Sequence, residues 1–130
     1  MLSKNDIITL DIVDLTAEAM GVGRHDGMAV FVPMSAVGDK LSVRIVKVQK
    51  TLSYGIIEEI LSPSPMRIEP DCPVYKKCGG CSLRHIQYEE ECRLKNRIVY
   101  ENMRRIGGIE LEMPPLLGSP SVDCYRNKAQ

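Results

Sequence analysis

The sequence predicts a mainly β chain with one helix: a small barrel of short strands, then a cysteine-rich loop, the helix, and the start of a further β domain. Three observations predict it. Over residues 1–62, short β-branched runs alternate with Gly and Asp punctuation, as in small antiparallel sheets. Three cysteines then fall close together in a stretch broken by Pro and Gly. Beyond them, only the stretch from near Tyr88 to Ile106 carries a helical period with marked ends.

Residues 1–62 supply the strands. Ile8, Leu10 and Ile12 alternate with Thr9 and Asp11, and Gly27 to Met34 is an apolar run around Val30, Phe31 and Val32, entered through the turn pair Asp26-Gly27. Leu41, Val43 and Ile45 alternate with Ser42 and Arg44, after which the apolar phase slips by one to Val46 and Val48. Such a slip turns side chains to the opposite face, so a bulge or sharp coil is expected there. Tyr54 to Leu61 gives a fourth strand before Ser62-Pro63-Ser64-Pro65 ends the pattern. Four or five short, strongly bent strands predict a closed barrel of the oligonucleotide-binding (OB) type. Gly21-Val22-Gly23 has no third glycine and is expected to be a tight turn beside the hairpin, not a nucleotide loop.

Residues 63–112 form the cysteine loop and the helix. Tyr88, Cys92, Val99, Met103 and Ile106 fall within a narrow arc at helical spacing. Glu89, Glu90 and Glu91 suit the positive first turn, Arg104 and Arg105 the negative last turn, and Gly107-Gly108 a left-handed cap. Arg93, Arg97 and Arg104 face away from the arc. The i,i+4 pairs Glu89–Arg93, Arg97–Glu101 and Glu101–Arg105 make that face a solvated one. Residues 113–130 read as a linker and the first strand of a truncated central domain.

Composition narrows the class. The 130 residues are 44% hydrophobic and 26% charged, a globular balance. Net charge is zero, so no global positive field marks a nucleic-acid partner. Six basic and eight acidic residues in 1–62 nevertheless contrast with eleven and nine in 63–130. The start has no leader pattern and no apolar run is long enough to span a bilayer. A cytoplasmic monomer is expected. Five cysteines, an odd number in a reducing compartment, point to metal or redox chemistry rather than disulfides.

Cys72, Cys78 and Cys81 are spaced C-x5-C-x2-C, with Gly79-Gly80 letting the backbone fold closely around whatever the thiolates bind. With His85 they make a complete Cys3His set for tetrahedral zinc. An iron–sulfur cluster would instead need a fourth cysteine. Spacing leaves both open.

The run from Cys72 to Tyr88, CPVYKKCGGCSLRHIQY, and the Lys95-bearing helix ending RRIGGI at residues 104–109 resemble the amino-terminal region of the bacterial RNA (uracil-5-)-methyltransferases, in particular those of 23S ribosomal RNA. Gly21-Val22-Gly23-Arg24, Asp26-Gly27, Val30 to Pro33, Gly38-Asp39 and Val43 are similar to that family's TRAM domain, an OB-like barrel. Tyr125 to Ala129 resembles the first strand of its central domain. The resemblance implies a 4Fe-4S cluster held by Cys72, Cys78 and Cys81, with a fourth ligand further along than residue 130. It leaves Cys92 as core, Cys124 off the ligand set, and His85 as a group beside the cluster or facing the RNA. It also implies S-adenosyl-L-methionine, a Cys nucleophile that adds to C6 of uracil and a Glu base that removes the C5 proton, after the base has left its stack. The cofactor site, the catalytic pair and the fourth ligand are absent here, so an amino-terminal piece of a longer enzyme is expected. Its partner would be RNA, ribosomal before transfer RNA.

With one Phe, five Tyr and no Trp, the barrel is expected to grip RNA by charge and shape rather than by stacking. Candidate contacts are Arg24 in the glycine loop, Lys76, Lys77 and Arg84 beside the thiols, and Arg126 and Lys128 at the far end.

Overall fold

The structure, a computed structural model, describes residues 2–16, 18–78, 81–110 and 112–123. The described chain divides into two compact units, Met1–Gln87 and Tyr88–Gln130.

The first unit is built on one six-stranded sheet: β1 (Ile7–Asp11), β2 (Asp14–Leu15), β3 (Gly21–His25), β4 (Met28–Val32), β5 (Lys40–Val48) and β6 (Leu52–Ser62). Their order across the sheet is β1-β5-β6-β4-β3-β2, antiparallel throughout except for the parallel β4–β6 pair. Period-two alternation decides which face is buried. Leu10, Ile12, Val30, Val32, Leu41, Val43 and Ile45 all point inward and, with Leu2, form the core. A short α1 (Tyr75–Cys78) lies in the cysteine segment of the same unit.

The sheet curls until the end of β1 comes against β3. Val13 N–H, just before β2, donates to the Val22 carbonyl. The approach is close at Gly23, where a Cβ would stand 2.5 Å from Leu10 Cγ and 2.6 Å from the Asp11 carbonyl oxygen. Gly21-Val22-Gly23 is therefore strand, not the tight turn expected from its glycines. Glycine is there because a neighbouring strand fills the space a side chain would need. Gly23→Ala is expected to lower stability by about 1–3 kcal/mol, the usual cost of overpacking, readable as a shift in the urea midpoint.

The turn is one step further on, at Asp26 (φ 49°) and Gly27 (φ 81°). Two positive-φ residues between His25 and Met28, which pair in register, make a type I′ hairpin whose twist suits the flanking strands. The phase slip in β5 also appears as expected: the register against β6 shifts between Ile45 and Lys47, placing the irregularity at Val46. Core burial ends at Ile45, and Val48 is exposed.

The second unit consists of α2 (Tyr88–Arg105) and extended chain. Its cap matches expectation: Gly108 takes φ 65°, and Gly107 N–H and Ile109 N–H donate to the carbonyls of Asn102 and Met103. The expected apolar arc is not its buried face. Val99, Met103 and Ile106 are 46%, 41% and 84% exposed, whereas Glu90 and Leu94 are buried. The linker returns to the helix, where Ser119 N–H donates to Tyr88 Oη (2.7 Å) and Asn96 Nδ2 to the Pro114 carbonyl (3.4 Å). Of the expected pairs, Glu101–Arg105 forms, with Arg104 also on Glu101, and Arg93 bonds Glu90 rather than Glu89.

Candidate nucleic-acid interface and thiol segment

The cysteine segment is fastened to the barrel through two buried polar centres, at Asp39 with Arg67 and at His85. Asp39, 1% exposed, lies in the turn before β5. Its carboxylate accepts from the N–H of Ala36 (2.8 Å) and of Ser64 (2.7 Å), and from Arg67 Nη2 (2.5 Å) and Nε (3.3 Å). Arg67 Nη2 also donates to the Met34 carbonyl. Burial would push the Asp39 carboxyl up, but the Arg67 guanidinium and the two backbone donors more than offset it and hold it below the ordinary value.

His85 is the second centre, also 1% exposed. Its Nε2 lies 2.8 Å from the Ser35 carbonyl, which can only accept, so Nε2 carries the proton. Nδ1 then accepts from Tyr75 Oη at 2.6 Å. Burial holds the His85 pKa below its ordinary value, which fits a neutral ring. Both nitrogens are occupied within the protein, and the buried ring does not face solvent as a group reaching for RNA would. The ring fixes α1 against the loop that holds Ser35. An Arg67–Ile86 bridge and the Ile68 N–H to His85 carbonyl bond complete the stitching. This is why the compact unit extends to Gln87 rather than ending with the last strand.

The thiols lie around this scaffold. Cys72 is half-buried, Cys78 and Cys81 are exposed, and none is in a disulfide. Three free thiols from one short segment are a soft donor set suited to zinc or an iron–sulfur group. Among the described residues, however, no three His, Cys, Asp or Glu side chains stand close enough to hold a metal ion. Residues 79 and 80, between the last two cysteines, lie outside the described chain. Cys92 belongs to the other unit and is half-buried.

The proposed RNA contacts are scattered. Lys76 and Lys77 are exposed on α1. Arg84 is tied to Asp71 (2.6 Å). Arg24 sits on β3, not in a glycine loop, and reaches the Gly27 carbonyl at 3.4 Å. Arg126 and Lys128, with Cys124 and the expected strand from Tyr125, lie outside the described residues. Phe31 and Tyr54 meet at a centroid distance of 5.6 Å, with Lys47 Nζ 5.9 Å from the Tyr54 ring. No helix among the described residues is long and apolar enough to cross a membrane.

Residues 3–57, which run from before β1 into β6, match the TRAM domain family. The chain is related over its whole length to proteins named RNA methyltransferases. It is 42% identical over 130 residues to an uncharacterized RNA methyltransferase of Listeria monocytogenes, covering 100% of this chain and 29% of that protein. It is 38% identical to another from Halalkalibacterium halodurans, covering 99% and 28%. Among solved structures it is similar to the tRNA (uracil-54, C5)-methyltransferase of Pyrococcus abyssi, determined in complex with S-adenosyl-L-homocysteine. There the TM-score is 0.51 and identity 28%, covering 87% of this chain and 24% of that one. The chain thus spans less than a third of the relatives it matches.

Proposed function

We propose that this chain is the amino-terminal RNA-binding portion of a cytoplasmic, S-adenosyl-L-methionine-dependent 23S rRNA (uracil-5-)-methyltransferase. The observation that carries the reading is the likeness to a tRNA (uracil-54, C5)-methyltransferase, which runs through the barrel and well beyond it, over 87% of the chain. Relatives named RNA methyltransferases at 42% identity support the broader class. Methyl donor and catalytic Cys and Glu would come from the remainder of a longer protein. The barrel would position a folded RNA for that remainder, with Lys76, Lys77 and Arg24 near its phosphates.

Cys72, Cys78 and Cys81 would hold a 4Fe-4S cluster, with a fourth cysteine beyond residue 130. The cluster would supply a rigid staple and no electron, since methyl transfer through a Cys adduct needs none. This chain's own contribution is the fastening described above: Asp39–Arg67 and His85–Ser35 fix both ends of the thiol segment, leaving only the thiols themselves to be organised.

Two measurements test the reading. The full-length protein, incubated with labelled methyl donor, should methylate a uridine at C5 in 23S RNA lacking the modification; labelling of transfer RNA instead would overturn the ribosomal assignment. Cys78→Ser in the same protein should abolish visible cluster absorbance and acid-labile sulfide. A colourless wild-type protein with stoichiometric zinc after anaerobic purification would overturn the iron assignment.

A further inference from the structure

The outer face of the barrel holds an arrangement that the RNA-binding reading does not itself specify. Four side chains stand in one row across four strands. Val22 of β3 pairs with Phe31 of β4, Phe31 with Tyr54 of β6, and Tyr54 with Lys47 of β5. Alternation puts all four outside: Val30 and Val32 flank Phe31 and are fully buried, and Ser53 and Gly55 flank Tyr54 and are buried too. Phe31 and Tyr54 remain part-exposed, with their rings tilted by 38°. Arg24, two residues from Val22, lies on the same face at one end. Lys47 closes the other end, with its ammonium within cation–π reach of the Tyr54 ring.

We propose that this row is a base-stacking subsite for an unpaired RNA nucleotide, with the base against Phe31 and Tyr54 and its phosphate at Lys47. The proposal rests on the RNA-binding reading and adds where, and by what chemistry, the barrel takes hold. The favoured occupant is RNA rather than a protein segment because the rings adjoin cations and every base offers a π-face to stack. An apolar peptide would gain little from Lys47 and Arg24. Two of the chain's six aromatic rings outside histidine are thus set side by side by the β4–β6 register, which composition could not show.

The test uses the intact chain and a single-stranded oligouridylate, compared with an abasic ribose-phosphate oligomer of equal length. The chain has no Trp, so Phe31→Trp places a unique fluorophore in the row, and its emission should be quenched by the oligouridylate and not by the abasic strand. The double variant Phe31→Leu/Tyr54→Leu keeps apolar bulk and removes both rings. It should bind oligouridylate about five- to a hundredfold more weakly while its abasic binding stays unchanged. Lys47→Ala should flatten the salt dependence by about one charge. If wild-type chain binds oligouridylate but the Leu variant binds it equally and the Trp is not quenched, the subsite is overturned and the RNA-binding reading stands. If wild-type chain binds no RNA even at low salt, both fall.

Discussion

An Asp39→Ala variant should lose about 3–5 kcal/mol of unfolding free energy at pH 7, the range for breaking a buried ion pair by removing one partner. The loss has three parts. Arg67 keeps a charge in a largely buried site, and the N–H groups of Ala36 and Ser64 lose their acceptor. The turn before β5 and the start of the thiol segment come apart together, because one carboxylate serves both. Urea unfolding measures the loss, and a double-mutant cycle with Arg67→Met should return a strong coupling, since the two residues share one network. Additive effects would show that Arg67 and Asp39 are neighbours without dependence. The pH dependence has a definite sign. The folded carboxyl lies below its ordinary value, so its stabilisation is complete above pH about 4 and is lost as pH falls further, through the folded pKa.

His85→Ala should cost about 3 kcal/mol or more, combining a cavity with an unpaired Ser35 carbonyl and an unpaired Tyr75 hydroxyl. It also separates in pH from the first effect. The buried ring has its pKa held down, so the neutral form stabilises the fold fully above pH about 6.5 and that contribution is lost as pH falls below it. Wild-type protein is therefore expected to melt lower at pH 5 than at pH 7, before Asp39 begins to titrate. The Ala variant should melt lower at both and lose most of the difference between them. A wild-type melting temperature flat from pH 7 to 5 would contradict a neutral, buried His85.

Much of the barrel could be read from residue order because its information is local. Alternation at Leu10/Ile12, Val30/Val32 and Leu41/Val43/Ile45 names the core side chains directly, and Asp26-Gly27 names the hairpin turn, because only certain residues tolerate positive φ twice in succession. The β5 irregularity was legible for the same reason: a strand cannot change phase without an extra residue. Gly21 and Gly23 were misread because a glycine required by a neighbour's approach looks, in sequence, like a glycine required by a turn. The arc of α2 was legible as a helix but not as an interface, since periodicity states which residues share a face and not whether anything covers it.

The site divides in the same way. Three cysteines at short spacing declare thiol chemistry without any fold, as the reactive groups are the signal. Asp39 and Arg67 carry no such signal, and the spacing that offers His85 as a ligand says nothing of its bonds to Ser35 and Tyr75. The three residues are separated by up to 46 residues along the chain, and Asp and Arg are far more often at the surface than buried. The sequence by itself determined the strand pattern, the core and the thiol set, all fixed by side-chain type at short range. Only the tertiary structure decided that His85 locks the thiol segment, and that Phe31 and Tyr54 stand together on the outer face. Both depend on register and long-range hydrogen bonding, which bring together atoms that the sequence keeps far apart.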